Sequence, residues 1–245
     1  MANSPDLSVL VMGETGSGKS SVVNLLVGEN VAEVSSGASV CTPKTVKHEA
    51  TIAIEVEGQE IQMRVHIWEV GGFNQPEAKP GKTPTTALDM ELGPILQVNG
   101  SVDVVLFCMQ GPKLKNTSTR IFEYVNGILG GHVPIVPVIT KLERERENME
   151  KWWDRNEERL ESMGLSGTGH ACITGLQCAR YEAKSAESRA SLVSILKGQY
   201  SPGRKSTSLE NVLKKLVHEN PREYNKKTLV KRFKLDSAVA KRLLQ

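Results

Sequence analysis

Eight consecutive residues, Gly13-Glu14-Thr15-Gly16-Ser17-Gly18-Lys19-Ser20, hold the densest concentration of chemistry in the chain. They satisfy the spacing G-x-x-x-x-G-K-[ST] in full, and each residue type has a use in holding phosphate. The glycines let the backbone wrap closely, so that successive N–H groups can converge on phosphate oxygens. A helix starting at the end of the run adds the positive end of its dipole. Lys19 brings a point charge suited to the β- and γ-phosphates of a nucleotide, which also makes it a candidate catalytic group. The Ser20 hydroxyl is a magnesium ligand by type. Glu14, Thr15, Gly16, Ser17, Gly18, Lys19, Ser20 and the following Ser21 are the expected nucleotide-binding residues of this segment.

The run lies between a strand and a helix, as this chemistry requires. Leu7–Met12 is a short β-rich stretch, and Lys19–Val27 has helical character until Gly28 stops it. Residues 29–45 are rich in Ser, Gly and Thr and read as a loop. His48–Val56 and Ile61–Trp68 alternate apolar and polar residues on either side of a tight Gly58-Gln59 connection, the pattern of a hairpin. Residues 71–84, with abundant Gly, Pro and Lys, read as a long mobile loop. Thr86–Val98 is helical in pattern, with an interruption at Gly93-Pro94. From there strands and helices alternate. Val102–Cys108 and Val133–Thr140 are apolar strands and Ala171–Thr174 is a short one, while Ser118–Leu129, Asn148–Met163 and Ala183–Leu196 are helices. Near-continuous apolar strands between helices indicate an α/β fold with a mixed, mainly parallel six-stranded sheet covered on both faces, the hairpin adding its one antiparallel strand.

A chain of 245 residues can bury one full-sized core with length left for an appendage. Its net charge of +3 conceals an asymmetry, because residues 201–245 hold 12 Lys/Arg against 4 Asp/Glu while the remainder is mildly acidic. Residues 1–200 are expected to form the nucleotide-binding domain and residues 201–245 a basic helical tail. In that tail Thr207 and Glu210 have the spacing of a capping box before an apolar stripe of Leu209, Val212, Leu213, Leu216 and Val217. Thr228–Phe233 and Ala238–Leu244 are further helical stretches, and the abrupt end suggests a longer protein. The stripe can bury itself on the body of the chain or on a second protein, and the charge leaves contact with nucleic acid or an anionic membrane open as a lesser reading.

No apolar run approaches the roughly 20 residues that cross a bilayer, and Met1–Leu7 has no secretory pattern. The four cysteines, Cys41, Cys108, Cys172 and Cys178, lack metal-ligand spacing and read as reduced thiols. These features point to the cytoplasm, with peripheral membrane association left open. The histidines have neither metal spacing nor a nucleophile partner, and Trp152-Trp153 reads as packing.

Beyond single residues, Gly13–Ser21 followed by Val-Asn-Leu-Leu-Val-Gly resembles the P-loop GTPases of the septin, immunity-associated and chloroplast-import-receptor group, over about residues 6–198. The order of elements is similar to the Ras-like fold. The resemblance implies that a loop threonine, here Thr42 in Cys41-Thr42-Pro43 in preference to Thr45, coordinates Mg²⁺ and reads the γ-phosphate. It implies that Trp68-Glu69-Val70-Gly71-Gly72 takes the place of the family's Asp-x-x-Gly, with Glu69 reaching Mg²⁺ through water and the Gly72 N–H meeting the γ-phosphate. The water-orienting position is then Phe73, which cannot hydrogen-bond water, so slow hydrolysis is implied. Thr140-Lys141-Leu142-Glu143 stands where the family has Asn/Thr-Lys-x-Asp. Glu143 would accept from guanine N1 and N2, Lys141 would lie along the base, and Thr140 would brace the phosphate loop. A last contact to guanine O6 is expected from Cys172-Ile173-Thr174-Gly175, with Thr174 the chosen residue.

The expected function is a GTP-binding molecular switch with slow Mg²⁺-dependent hydrolysis, its catalytic residues Lys19, Thr42 and Gly72 and its metal ligands Ser20, Thr42 and Glu69. GTP and GDP would order and release two loops, residues 30–45 and 72–85. The resemblance also implies pairing of two copies across the nucleotide face, and an effector protein that the residues do not name. Two other readings stay open at this point. A P-loop ATPase or small-molecule kinase would keep Lys19 and Ser20 without a guanine reader. A non-hydrolysing scaffold would hold nucleotide without turnover.

Overall fold

Residues 6–34, 45–56, 58–71, 101–165, 169–201, 206–222, 224–231 and 236–245 are described by the computed structural model. Thr42, Gly72, Phe73, Cys41, the helical pattern at Thr86–Val98 and most of the two expected switch loops lie outside the described residues.

Strand β1 (Asp6–Gly13) runs down the middle of the sheet and delivers the chain to helix α1 (Lys19–Val27). The hairpin follows as β2 (Val46–Val56) and β3 (Gln59–Glu69), antiparallel, with Ile54 opposite Ile61. A short strand β4 (Ser101–Val102) precedes β5 (Val104–Gln110), then come helix α2 (Asn116–Leu129) and strand β6 (Ile135–Thr140). Helices α3 (Glu150–Asp154) and α4 (Glu157–Ser162), strand β7 (Ala171–Cys172) and helix α5 (Glu182–Gln199) complete the α/β unit. The remainder comprises strand β8 (Thr207–Ser208) and helices α6 (Leu209–Glu219), α7 (Lys226–Lys231) and α8 (Ser237–Leu243). The main sheet has six strands in the order β2-β3-β1-β5-β6-β7, and every pairing except β2 with β3 is parallel.

Strand pleating explains why the central strands are apolar throughout. In β5, Val105, Phe107 and Met109 face a core shared with α2, while Val104, Leu106 and Cys108 face the core under α1 and α5. Each fully buried side chain of this size contributes roughly 1.5–3 kcal/mol. The tail joins the first of these cores: Leu209, Val212, Leu213 and Val217 of α6, Leu229 of α7, and Ala240 and Leu243 of α8 lie in one cluster with Phe107 and Phe122. Strand β8 also pairs antiparallel with β4.

Three local expectations are corrected. The run Val102–Cys108 is not one strand, because Asp103 breaks it. The Asp103 carboxylate accepts from the Ser8 N–H at 2.7 Å and its own N–H donates to Ser8 O, freeing Ser101–Val102 to pair with β8. Ser208, not Thr207, caps α6 by accepting from Asn211 N–H, while the Thr207 hydroxyl donates to His132 O. The helix expected over Asn148–Met163 is broken at 155–156. There the Asn156 side-chain amide takes the Trp152 carbonyl at 2.6 Å and its backbone N–H turns to Trp153 O, a tight turn that ends α3.

Candidate functional site

The loop from Gly13 to Gly18 closes because three glycines occupy the left-handed half of backbone space: Gly13 at φ 142, Gly16 at φ 77 and Gly18 at φ 91. The fit is also steric. A Cβ on Gly13 would sit 2.3 Å from Cys108 O, and one on Gly18 would meet the Thr140 side chain at 3.2 Å. The loop is tied within itself by Ser17 N–H donating to Glu14 O. It is tied to β6 by the Thr140 hydroxyl, which lies 2.8 Å from Ser17 O and 3.2 Å from Met109 O. The tip, Thr15 and Gly16, is exposed, whereas Ser17 and Lys19 are buried. Helix α1 opens at Lys19, so its first-turn N–H groups fall outside the helix's own ladder at the loop. Together with the helix dipole they make an anion cradle.

Lys19 arches over that cradle, its ammonium donating to Gly13 O at 3.2 Å and Glu14 O at 3.0 Å. Glu14 contributes through its backbone, since its side chain turns away, one carboxylate oxygen accepting from Ser118 Oγ at 2.6 Å. Ser20 Oγ donates to Glu69 Oε1 at 2.6 Å. Glu69 is buried at the end of β3, and His48 Nε2 stands 3.5 Å from its other oxygen. A hydroxyl and a carboxylate meeting beside a phosphate cradle are the hard oxygen donors that Mg²⁺ takes, one or two from protein and the rest from phosphate and water. Among the described residues no group of three His, Cys, Asp or Glu could hold a metal, so a metal here would rely on such a partial set.

The second half of the site gathers where β6 ends. Lys141 has φ 63, a strained backbone for a residue with a Cβ, and it is exposed. Leu142 turns inward and donates its N–H to Ile173 O, drawing the 140–143 segment against the loop after β7. There the Thr174 hydroxyl donates to Glu143 Oε2 at 3.3 Å, and the Thr174 N–H donates to Ser188 Oγ at 3.0 Å. Gly175 presses on the start of α1, where an added Cβ would fall 2.4 Å from Ser21 Cβ. The base-reading candidates Thr140, Lys141, Glu143 and Thr174 are therefore brought together beside Ser21, at one end of the phosphate loop.

Sequence reasoning missed the supports of this assembly. Asn24 holds the segment after α1, its side-chain amide donating to Ala32 O and accepting from Ala32 N–H. Ser118, Lys184 and Ser188 come from helices whose patterns looked purely structural. Cys108 is deep in the core beside the loop, and burial pushes its thiol up to about 12; burial raises Cys172 as well. Both are inert as nucleophiles near neutrality.

Residues 8–141 match the family model described as 50S ribosome-binding GTPase. Among solved structures, Toc33 from Arabidopsis thaliana in complex with GDP and Mg²⁺ is similar at TM-score 0.55 and 18% identity, over 83% of this chain and 88% of that one. A structure concerning the chloroplast translocon components atToc33 and psToc159, whose dimerization is important for their GTPase activity, matches at TM-score 0.55 and 18% identity, over 84% and 87%. Era from Aquifex aeolicus, bound to GDP and AlF4-, matches at TM-score 0.52 and 17% identity, over 90% of this chain and 68% of that one. At these identities the structural likeness is one of fold. No curated protein sequence matches the chain.

Proposed function

The chain belongs to the 50S ribosome-binding GTPase family, and from that premise we propose how its own residues run a slow, magnesium-dependent switch. It is a GTP-binding switch and a GTP hydrolase. The ATPase, small-molecule-kinase and non-hydrolysing-scaffold readings give way to that membership.

The single observation that carries the residue-level reading is the buried Lys19 ammonium arched over three left-handed glycines at the start of α1. Its charge and the loop's backbone N–H groups hold the β- and γ-phosphates, with Glu14 to Ser21 as the loop's residues. Glu143 accepts from guanine N1 and N2, steadied by the Thr174 hydroxyl, and Lys141 lies along the base. Thr174, its N–H held by Ser188, lies in the loop that makes the contact to guanine O6. Ser20 would hold Mg²⁺ directly, Thr42 from its loop, and Glu69 through water. When bound, the metal neutralises charge on the β- and γ-phosphate oxygens. Thr42 and the Gly72 N–H read the γ-phosphate and let go when it leaves.

Hydrolysis is slow because Phe73 occupies the water-orienting position and supplies no hydrogen bond. A second copy facing the nucleotide then contributes the missing order to the attacking water. The dimerization of the Toc components supports this reading, as does the fold shared with them. An effector protein reads the two loops. A cytoplasmic setting keeps Cys108 and Cys172 reduced. Among the described residues no helix is long and apolar enough to cross a membrane.

Turnover measured per molecule over a wide range of protein concentration, with and without Mg²⁺, tests the proposal. Slow, Mg²⁺-dependent hydrolysis that accelerates with concentration is expected. Fast turnover independent of concentration contradicts both the Phe73 argument and the pairing.

A further inference from the structure

Two residues one turn apart on α5 hold both loops of the base end. Lys184 Nζ donates to Glu143 O at 3.0 Å and also to Glu145 O. Ser188, fully buried, donates its hydroxyl to Lys184 O at 2.7 Å and accepts from Thr174 N–H at 3.0 Å. One turn of one helix thus grips residues 143–145 through Lys184 and residue 174 through Ser188. Glu145 is fixed from its other side by Arg155, 2.6 Å away.

A physical need for this grip follows from Glu143 itself. A glutamate has one more rotatable bond than the aspartate usual at this place, so its carboxylate stays in register only if its backbone cannot shift. Just upstream, Lys141 keeps a strained φ of 63. Such a conformation persists only where the surroundings over-determine it. Neutral carbonyls hydrogen-bonded to an ammonium are held more strongly than by a neutral donor. The Lys184 head is well suited, because an ammonium can aim its three donors at two carbonyls without a planar constraint.

We propose that Lys184 is a positioning residue for base selection, fixing the 143–145 backbone so that Glu143 meets the guanine N1 and N2 donors. This rests on Glu143 being the base reader. Lys184 touches no part of the nucleotide in this scheme; its effect passes through the main chain it holds.

Full-length wild type, Lys184→Met, Lys184→Arg and Glu143→Ala are titrated with GDP, with inosine diphosphate, which lacks the 2-amino donor, and with ADP as a base control. Wild type is expected to favour GDP over inosine diphosphate by about tenfold or more, the scale of a hydrogen bond to a charged group. Lys184→Met should bring that ratio to within about threefold of unity, as Glu143→Ala does, with ADP affinity nearly unchanged. Lys184→Arg keeps the charge but imposes a planar fork on two separate carbonyls, so its ratio should fall between those of wild type and Lys184→Met. A Lys184→Met protein that melts earlier but keeps the wild-type ratio overturns the positioning role while Glu143→Ala still loses the ratio. A Glu143→Ala protein that keeps the ratio overturns the base-reader assignment, and the proposal falls with it. Should Lys184→Met not fold, Lys184→Ala, which leaves no donor at this place, decides in the same titration, an unchanged ratio again overturning the proposal.

Discussion

In the proposed site, the phosphate end is built by one short loop, whereas the base end is assembled from three separated stretches, 140–143, 172–176 and 184–188. In the loop, three glycines and a lysine do their work through backbone that is adjacent in sequence, with outside ties to Thr140 and Ser118. At the base end no stretch is sufficient alone. Glu143 is steadied by Thr174, Thr174 by Ser188, and the backbone of 143–145 by Lys184. The phosphate end depends on local conformation and charge, and the base end on tertiary packing. Substitutions in the first should abolish binding of any nucleoside triphosphate, and substitutions in the second should alter which base is preferred.

The largest expected effect is Lys19→Ala. Loss of the Lys19 ammonium over the loop should weaken GTP and ATP alike by at least about a hundredfold, as when a buried ionic pair loses one member. Titration with fluorescent analogues of both nucleotides checks it, and a loss confined to GTP would break the division. Gly175→Ala should come next, because its Cβ would fall 2.4 Å from Ser21 Cβ. Displacing that loop should cost about tenfold in GTP affinity while sparing ATP, and lower the melting temperature by several degrees, the effect of about 1–2 kcal/mol of overpacking. Equal losses for the two nucleotides would show that the loop serves phosphate rather than base. Thr140→Val removes the hydroxyl that links the two ends, 2.8 Å from Ser17 O. A loss of about 1 kcal/mol, or severalfold in affinity for either nucleotide, is expected in the same titration.

Smallest is a labelling contrast remote from either end. At pH 8 an alkylating reagent should modify exposed Cys178 and leave buried Cys108 and Cys172 untouched until the chain unfolds, as peptide mapping would show. The sign for stability follows from Cys108, whose folded pKa of about 12 exceeds its ordinary 9.0. The contribution of its neutral thiol is complete below the ordinary value and is lost as pH rises from there through about 12.

The same contrast accounts for what could be read without coordinates. Gly13, Gly16, Gly18 and Lys19 declare their conformation and chemistry by residue type and spacing. The sheet was legible because buried parallel strands must be apolar on both faces, as β5 and β6 are. Elements decided by distant partners were not legible. Val102–Cys108 reads as one apolar strand until Ser8 is seen beside Asp103, and Thr207 looks like a helix cap until His132 takes its hydroxyl. The break between α3 and α4 depends on the Asn156 side chain reaching back to Trp152 O, which competes with a helix pattern that otherwise continues. Lys184 and Ser188 lie on a helix whose spacing gives no sign that their partners are carbonyl and amide groups of two loops.

A competition between GTP and ATP for full-length wild type and Glu143→Ala tests the account most directly. Wild type should prefer GTP by at least about tenfold, and the variant should bind the two within about threefold of each other, because the base end then lacks the acceptor for the guanine N1 and N2 donors. Wild type that binds ATP as tightly as GTP, or a variant that keeps the full preference, would contradict the assignment of the base end to these residues.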